Sequence, residues 1–362
     1  MKILVLFARQ NEAEDLADGL SGYGYEVTAA GATWDKKHRI SYLAGAVKLI
    51  YCEASKCQFI ILDGTFYDAL VARAIRKLKG VPLVLYLRGY FPAEVKENAN
   101  NKAAQKLSWL LKSHLIKNSA HIIYVSQWLK DKYLNTPGLS ALLKDKPSTI
   151  IHLAPDPFFH PVSTESCLKP SKELILCYAG KFSYLDKVKG ILLLLDAYDE
   201  LLKTFPDLRL CICADGRHRQ LIEERINELN LGDKVVLTGE VGWSELREYY
   251  RRAYIFVYPS FLDCSPKTVK EAQACGTPAV VTNSSGAAEI VADGITGIIC
   301  QPTIESLAES ITYLINNPDV RHSMSIQAAE HIRHNLSWEV TAAKFNEVIT
   351  SLNHSTINKG KN

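Results

Sequence analysis

The chain has 362 residues, of which 47% are hydrophobic and 22% charged, with a formal net charge of +3. This composition is typical of a globular protein of about two domains, and it excludes a disordered, collagenous or coiled-coil chain. The nine cysteines form no C-x-x-C motif, so neither a disulfide framework nor a structural zinc site is indicated. With no signal peptide and no apolar run of about 18 residues, we expect a cytoplasmic protein, soluble or attached peripherally to the inner face of the membrane.

In the first half of the chain, short β-type runs alternate with longer segments of helical spacing. We predict strands at residues 2–7, 25–30, 59–62, 82–87, 122–125 and 149–153. Helices are predicted at residues 12–20, 41–54, 67–77, 102–117 and 127–134. Such alternation is typical of βαβ units and a mostly parallel sheet.

The second half repeats this rhythm after a proline-rich segment at residues 154–172, which we interpret as a linker. Further strands are predicted at residues 174–179, 208–214, 235–238, 255–258, 279–282 and 297–300. The sequence therefore predicts an α/β protein with two doubly wound parallel-sheet domains, 1–160 and 170–335, facing a central cleft. A final helical segment, 336–362, is expected to pack back across the domain boundary.

The segment from Asp263 to Pro278 carries the strongest functional signal. We predict that Ser265 caps a helix with Pro266 at its first position, and that Gly276 and Pro278 end this helix. The start of a helix at the carboxyl edge of a parallel sheet has unpaired N–H groups and a partial positive charge. This predicts a phosphate site at Ser265, Pro266, Lys267 and Thr268.

Two carboxylates flank this helix start: Asp263 precedes it and Glu271 lies about two turns into it. Carboxylates accept several hydrogen bonds and suit sugar and ribose hydroxyls, although two incidental acids on a capped helix are the alternative. The D-x7-E spacing, followed by A-x-A-x-G-T-P, resembles the E-x7-E segment of the family 4 retaining glycosyltransferases. That resemblance implies a GT-B fold of two Rossmann-like domains. It also implies that Glu271 holds the ribose of a nucleotide-sugar and that Asp263, where the family has Glu, contacts the donor sugar.

A second segment, Gly180-Lys181 followed by Lys189-Gly190, is similar to the family's G-R…K-G element. There two cations bind the donor diphosphate, and the resemblance assigns this role to Lys181 and Lys189. Lys187 is a possible substitute for Lys189, and solvated surface lysines are the alternative. Lysine neutralises a phosphate but lacks the planar bidentate fork of arginine.

Weaker matches follow the next strands. Residues 235–239, with Gly239 and then Glu240, resemble the strand end whose backbone meets the nucleotide base. Residues 284–289 resemble the family's G-G-x-x-E turn.

The amino-terminal half, which the resemblance makes the acceptor-binding domain, departs from the family. Residues 8–12 contain no glycine where relatives have a Gly-Gly loop, and Arg88 follows a predicted strand where relatives often have histidine. Arg9 and Arg88 are candidates for contacting an acceptor or a phosphate. Ordinary exposed arginines are the alternative.

Charge is unevenly distributed along the chain. Residues 1–165 hold 21 Lys and Arg against 15 Asp and Glu, whereas the remainder holds 21 against 24, and residues 98–130 contain no acid. Helical spacing predicts an inward apolar stripe at residues 103, 107, 110, 111 and 115. The opposite side would then present an anionic-membrane surface or, alternatively, a solvated face with the indole against a neighbour. Its candidate residues are Lys102, Lys106, Trp109, Lys112 and Lys117.

Together these features predict retaining transfer of a sugar from a nucleoside-diphosphate sugar to an acceptor hydroxyl. The acceptor would be an unidentified carbohydrate or lipid-linked molecule, in cell-envelope polysaccharide, glycolipid or other glycoconjugate synthesis. With no D-x-D element, we expect no metal and no other cofactor, and we expect no nucleic-acid partner. The alternatives are a non-catalytic nucleotide-sugar-binding protein and an epimerase of the same fold, and a phosphorylase lacks its expected signature here.

Overall fold

The computed structural model describes residues 1–7, 9–31, 56–63, 81–98, 102–161, 174–182 and 184–359. The chain divides into two compact units: Met1–Leu153 with Trp338–Asn362, and Ala154–Ser337. The helices predicted at residues 41–54 and 67–77 lie outside the described residues. Within the described part of the chain, no helix combines the length and the apolarity that a membrane span needs.

The first unit is built on a six-stranded parallel sheet with the order β2-β1-β3-β4-β5-β6. Its strands are β1 (Lys2–Phe7), β2 (Glu26–Gly31), β3 (Phe59–Asp63), β4 (Leu83–Leu87), β5 (His121–Tyr124) and β6 (Ser148–Ile150). Its described helices are α1 (Gln10–Ser21), α2 (Phe91–Asn98), α3 (Lys102–Asn118), α4 (Gln127–Leu134) and α5 (Ser140–Leu143). Every residue of β3 and β4 is buried, as in strands covered on both faces.

The carboxyl-terminal helix α12 (Trp338–Lys359) belongs to this first unit, although the chain reaches it from the second. It packs against α1, where Gly19 leaves room for Ala342: a Cβ added at Gly19 would lie 2.6 Å from the Ala342 Cβ. The Phe345 ring meets Tyr86 of β4 edge to face, with centroids 5.5 Å apart. Helix α12 therefore supplies part of the first unit's core.

The second unit holds another six-stranded parallel sheet, ordered β12-β11-β10-β7-β8-β9. Its strands are β7 (Ile175–Lys181), β8 (Arg209–Asp215), β9 (Val235–Leu237), β10 (Ile255–Tyr258), β11 (Ala279–Thr282) and β12 (Gly297–Cys300). Its helices are α6 (Leu185–Leu202), α7 (Arg219–Glu228), α8 (Trp243–Arg252), α9 (Lys267–Ala274), α10 (Ile304–Asn316) and α11 (Pro318–Asn335). A 3₁₀ turn covers Gly286–Glu289.

Both strand orders are those of doubly wound α/β folds, as the sequence predicts. In each sheet, the chain first adds strands on one side of its starting strand and then on the other. This change of side falls between β1 and β3 in the first unit and between β7 and β10 in the second. Ligands of open α/β sheets bind outside the carboxyl ends of the strands at such switch points. The two places to search for a site are therefore the ends of β1 and β3 and the ends of β7 and β10.

Helix α3 has a different buried face from the predicted one. Lys112, expected on the outward side, is 6% exposed, and its ammonium lies 5.1 Å from the centre of the Phe91 ring. Trp109 meets the same ring edge to face at 5.2 Å. Leu107 and Leu110, expected to face inward, are 53% and 57% exposed. The prediction was wrong for Lys112, Leu107 and Leu110, because the Lys112 ammonium lies over the Phe91 ring and the leucines face outward. Leu115 is buried as predicted, and the indole packs against a neighbour as the alternative interpretation expected.

Candidate active site

The described candidate residues of the second unit gather at its switch point. Lys181 ends β7, Tyr258 ends β10, and the loop after Tyr258 leads into α9. This helix begins at Lys267 rather than Pro266, which stands before it in an extended conformation with φ −62° and ψ 123°. The predicted end is confirmed, since Gly276 follows the helix with a φ of +84°.

Ser265 does not cap α9, contrary to the prediction. Its N–H donates to Oδ1 of Asp263 at 3.2 Å, and its hydroxyl accepts a hydrogen bond from Nζ of Lys270 at 3.0 Å. Lys270 is 1% exposed. The serine hydroxyl is thus engaged by Lys270 instead of the helix N–H groups, while Asp263 holds the serine backbone.

Asp263 is the centre of this arrangement. Its Oδ2 accepts hydrogen bonds from Nζ of Lys187 at 2.6 Å and from the Tyr258 hydroxyl at 2.8 Å. Burial alone would raise the pKa of Asp263, but the charge and the hydrogen bond of Lys187 outweigh burial and lower it. Burial similarly opposes the charge on Lys187, while Asp263 raises the pKa of that lysine. Both groups are therefore ionised at neutral pH.

The cation beside Asp263 is Lys187, not Lys189. Lys189 pairs at 2.7 Å with Asp186 of its own helix, and its side chain is 64% exposed. Residues two apart on a helix point about 200° from each other, so the two lysines cannot share a target. Lys181 is also exposed and lies 3.4 Å from Glu240. Of the three lysines, only Lys187 is described in contact with the acidic loop.

A pair of stacked tyrosines supports the loop. Tyr178 of β7 and Tyr258 of β10 lie with ring centroids 5.3 Å apart and planes 4° apart. A Cβ at the predicted donor-binding residue Gly180 would meet the Tyr178 hydroxyl at 2.9 Å. Burial raises the pKa of Tyr258, so its hydroxyl stays protonated and donates to Asp263. Sequence inspection missed both rings, although each closes an apolar strand at the switch point.

Two glycines allow the backbone to close around Asp263. A Cβ at Gly190 of α6 would lie 2.1 Å from the Pro259 carbonyl oxygen, and one at Gly286 would lie 2.0 Å from that of Cys264. The Gly286 N–H also donates to the Asp263 carbonyl at 2.8 Å. Helix α6 and the 3₁₀ turn therefore touch the loop directly, and this contact brings Lys187 to Asp263.

Glu271 is positioned by a residue that the sequence analysis did not identify. The hydroxyl of Tyr250, on α8, donates to Oε2 of Glu271 at 3.1 Å. Tyr250 is fully buried and meets the ring of Phe256 edge to face at 5.5 Å. Thr277 fixes the same residue by donating to its carbonyl oxygen at 2.5 Å. A rigid phenol thus fixes one carboxylate oxygen of Glu271.

Two hydroxyl groups close in sequence to these carboxylates lack a hydrogen-bond partner. The hydroxyl oxygens of Thr268, in the first turn of α9, and of Ser260, after β10, are enclosed and have no hydrogen-bond partner among the described residues. Gly239, following β9, has a φ of +80°, and its neighbour Glu240 is 77% exposed at the side chain. In the described part of the chain, no group of three or more His, Cys, Asp or Glu side chains is arranged to hold a metal ion.

At the switch point of the first unit, the charges pair with one another. The guanidinium of Arg88 lies 2.6 Å from Oε2 of Glu12 and 2.8 Å from Oδ2 of Asp63. Burial opposes its charge, but Asp63 and Glu12 raise the pKa of Arg88 above its ordinary value. Arg9 is largely exposed and lies 3.7 Å from Glu12. Contact of Arg9 and Arg88 with a phosphate stays a prediction, and the carboxylates around Arg88 disfavour it.

Part of the second unit matches a known family model. Residues 163–331 match the family model described as Glycosyl transferases group 1. The chain is 26% identical over 246 residues to a GDP-mannose-dependent alpha-(1-6)-phosphatidylinositol monomannoside mannosyltransferase from Mycolicibacterium smegmatis, covering 65% of this chain and 63% of that relative. It is 24% identical over 304 residues to a 2-deoxystreptamine N-acetyl-D-glucosaminyltransferase from Niallia circulans. This match covers 81% of this chain and 76% of that relative.

The fold is similar to that of sucrose-phosphate synthase from Thermosynechococcus elongatus. The TM-score is 0.74 at 19% identity, and the match covers 98% of this chain and 100% of the other. The predicted GT-B class, with two Rossmann-like sheets, is thereby confirmed. The segment that matches the group 1 family model, residues 163–331, contains the carboxylates and lysines described above.

Proposed function

We propose that this protein is a retaining glycosyltransferase that moves a sugar from a nucleoside-diphosphate sugar to an acceptor hydroxyl. The observation that carries the proposal is the loop around Asp263. It brings together an ionised carboxylate, the partly buried Lys187 and the start of α9 at the β7/β10 switch point. Glu271, held by Tyr250, lies on the same helix. Diphosphate, sugar and ribose present the anionic and hydroxyl groups that such a site binds.

In this proposal each group has a separate task. Glu271 accepts hydrogen bonds from the ribose hydroxyls, while Asp263 meets a hydroxyl of the donor sugar with the lone pairs left by its three donors. The start of α9 and the Thr268 hydroxyl face the diphosphate. Lys187 takes the cationic role that the sequence assigned to Lys189, and Lys181 adds a second, exposed cation. The backbone at Gly239 meets the nucleotide base.

The proposed reaction exchanges two bonds to the anomeric carbon. The bond to the diphosphate oxygen breaks, and a bond to the acceptor oxygen forms on the same face. The departing phosphate oxygen takes the acceptor proton, so no side-chain base is required. Negative charge grows on the diphosphate in the transition state, where Lys187 and the positive end of α9 stabilise it. Retention is tested by NMR of the first-formed product, which should keep the donor's anomeric configuration.

We further propose that these cations replace a metal ion at the diphosphate. The reaction should then proceed at an unchanged rate in excess EDTA. Loss of activity in EDTA that a divalent ion restores would contradict this part of the proposal without affecting the assignment of Glu271.

The donor and acceptor are open within this proposal. One relative is named for GDP-mannose and a phosphatidylinositol mannoside, and another for an aminocyclitol acceptor. We place acceptor binding in the first unit, with a carbohydrate or lipid-linked hydroxyl as the acceptor. Polysaccharide, glycolipid or other glycoconjugate synthesis is the corresponding role.

The deciding experiment is a panel of UDP-, GDP- and ADP-sugars incubated with the full chain, with hydrolysis and transfer measured for each. Turnover of one donor by the wild-type protein, and its loss in the Glu271→Ala variant, would support the proposed glycosyltransferase activity. Binding without turnover would support the non-catalytic nucleotide-sugar-binding alternative. The pairing of Arg88 with Glu12 and Asp63 in the first unit favours that alternative. Interconversion of the sugar without transfer would indicate an epimerase.

A further inference from the structure

Helix α3 exposes two large apolar side chains in the first unit. Leu107 and Leu110 are 53% and 57% exposed, and they are three residues apart, on neighbouring turns of one face. The opposite face of the helix is filled by Lys112, Leu115 and Ile116, which are all buried. The leucines therefore cannot turn inward without displacing this packed face.

Lysines border the exposed leucines. Lys102, Lys106 and Lys117 are all exposed. At about 100° per residue, Lys106 and Lys117 lie within about 40° of Leu110 around the helix axis. Their long stems can lie along apolar surface while the ammonium groups reach outward. The outward surface of α3 is thus both apolar and cationic.

Within α3 itself, no acidic side chain offsets this charge. Residues 98–130 contain neither Asp nor Glu. At the carboxyl end of α3, Nζ of Lys146 donates to the carbonyl oxygens of Lys117 and Ser119 at 2.8 and 2.7 Å. This contact brings a further positive charge to the helix terminus. The surface is therefore complementary to an extended array of anionic groups above an apolar layer.

We propose that the outward face of α3, formed by Lys106, Leu107, Leu110 and Lys117, docks on an anionic lipid bilayer. The leucines enter the boundary between headgroups and acyl chains, and the ammonium groups contact lipid phosphates. A bilayer fits better than a protein groove because the face is convex and its cations sit on flexible stems. The proposal does not depend on the donor or on the reaction. It replaces Trp109 and Lys112 of the sequence prediction with Leu107 and Leu110.

The test is co-sedimentation of the full chain with vesicles of pure phosphatidylcholine or of phosphatidylcholine with one quarter phosphatidylglycerol. We expect binding only to the anionic vesicles, and weaker binding at high salt. Leu107→Ser/Leu110→Ser should weaken it at least tenfold. A matched control is Val236→Ser/Ile295→Ser in the second unit, where the side chains are 55% and 56% exposed. This control should change binding less than twofold.

Charge-reversal variants distinguish docking through the lysines from nonspecific hydrophobic adsorption. Lys106→Glu/Lys117→Glu should also lose at least tenfold in anionic binding, whereas Lys203→Glu in the second unit should not. Equal binding to both vesicle types, or anionic binding unaffected by the α3 variants, would overturn the proposal. So would a concentration-dependent dimer that the leucine variant abolishes, since a second copy would then be the occupant. A clear fall in melting temperature of the leucine variant would show instead that these side chains pack within the molecule.

Discussion

The two switch points of this protein hold the same kinds of charged groups in different states. After β10, Asp263 is paired with Lys187, and the enclosed hydroxyls of Ser260, in the same loop, and Thr268, in the first turn of α9, have no described partner. At the ends of β1 and β3, Arg88 is held between two carboxylates. The first arrangement leaves hydroxyl groups without a partner, whereas the second pairs its cation with two carboxylates.

This difference shows that charge type and strand position alone do not identify a binding residue. Arg88 follows a parallel strand just as the Asp263 loop does, yet its guanidinium already has two anionic partners. A buried ion pair of this kind holds neighbouring strand ends together. We therefore expect substitutions at the first switch point to act mainly on stability, and those at the second to act mainly on donor binding.

The largest effect is expected from Arg88→Met. This change leaves Glu12 and Asp63 buried without their cation, and breaking such a pair costs about 3 to 5 kcal/mol. Thermal and urea unfolding should show a less stable first unit, while nucleotide-sugar affinity of the remaining folded protein stays within about twofold. A stable variant that loses only donor or acceptor binding would mean that Arg88 is a ligand-binding residue.

Gly190→Ala should destabilise the second unit and weaken donor binding together. The added Cβ would lie 2.1 Å from the Pro259 carbonyl oxygen, so α6 must move away from the loop. Overpacking of this kind costs about 1 to 3 kcal/mol, although alanine is otherwise the better helix former. Gly232→Ala is the control, because a Cβ there meets nothing within 4 Å. Equal stability of the two variants would contradict the close approach of α6.

Lys187→Met and Lys189→Met separate the two candidate phosphate cations. The first change removes the ammonium 2.6 Å from Asp263 and should lower kcat/KM at least a hundredfold, with a stability loss of about 1 to 3 kcal/mol. The second removes an exposed pair with Asp186 and should lower kcat/KM less than threefold. Steady-state kinetics with the donor identified from the panel decides between them. The reverse order of effects would restore Lys189 to the diphosphate.

The smallest effect is expected from Tyr250→Phe, which removes one hydrogen bond to Glu271 and keeps the buried ring. A hydrogen bond to a carboxylate contributes about 1.5 to 3 kcal/mol. Only the part of this energy that orients Glu271 is lost from ligand binding, so nucleotide affinity should fall roughly two- to tenfold. The same change in a Glu271→Ala background should have no further effect on affinity. Additive losses in the double variant would show that Tyr250 acts on the protein and not through Glu271.

The sequence predicted the strands of the second sheet well, because short apolar runs end at proline, glycine or polar residues. Strands β10, β11 and β12 have the predicted bounds. Side-chain partners could not be predicted in the same way. Tyr250 and Glu271 lie on different helices, and Arg88, Glu12 and Asp63 meet only after three separate segments are aligned by the sheet.

Competing side-chain interactions and the phase of each helix explain the remaining differences between the predicted and the observed contacts. Serine commonly caps helices, but the Ser265 hydroxyl accepts a hydrogen bond from Lys270 and its N–H donates to Asp263. The choice between Lys187 and Lys189 depends on where α6 starts, and loop length does not reveal the phase of a helix. On α3, apolar spacing placed Leu107 and Leu110 inside, whereas Phe91 draws Lys112 and Trp109 inward.

The most direct test of the central claim is calorimetric titration of the wild-type protein and the Glu271→Ala variant with the nucleotide of the active donor. We predict at least a hundredfold weaker binding in the variant, with only a small fall in the melting temperature of the unliganded protein, because the change leaves the buried Tyr250 hydroxyl without its acceptor. Wild-type affinity in a folded Glu271→Ala variant would contradict the assignment of the donor site to α9.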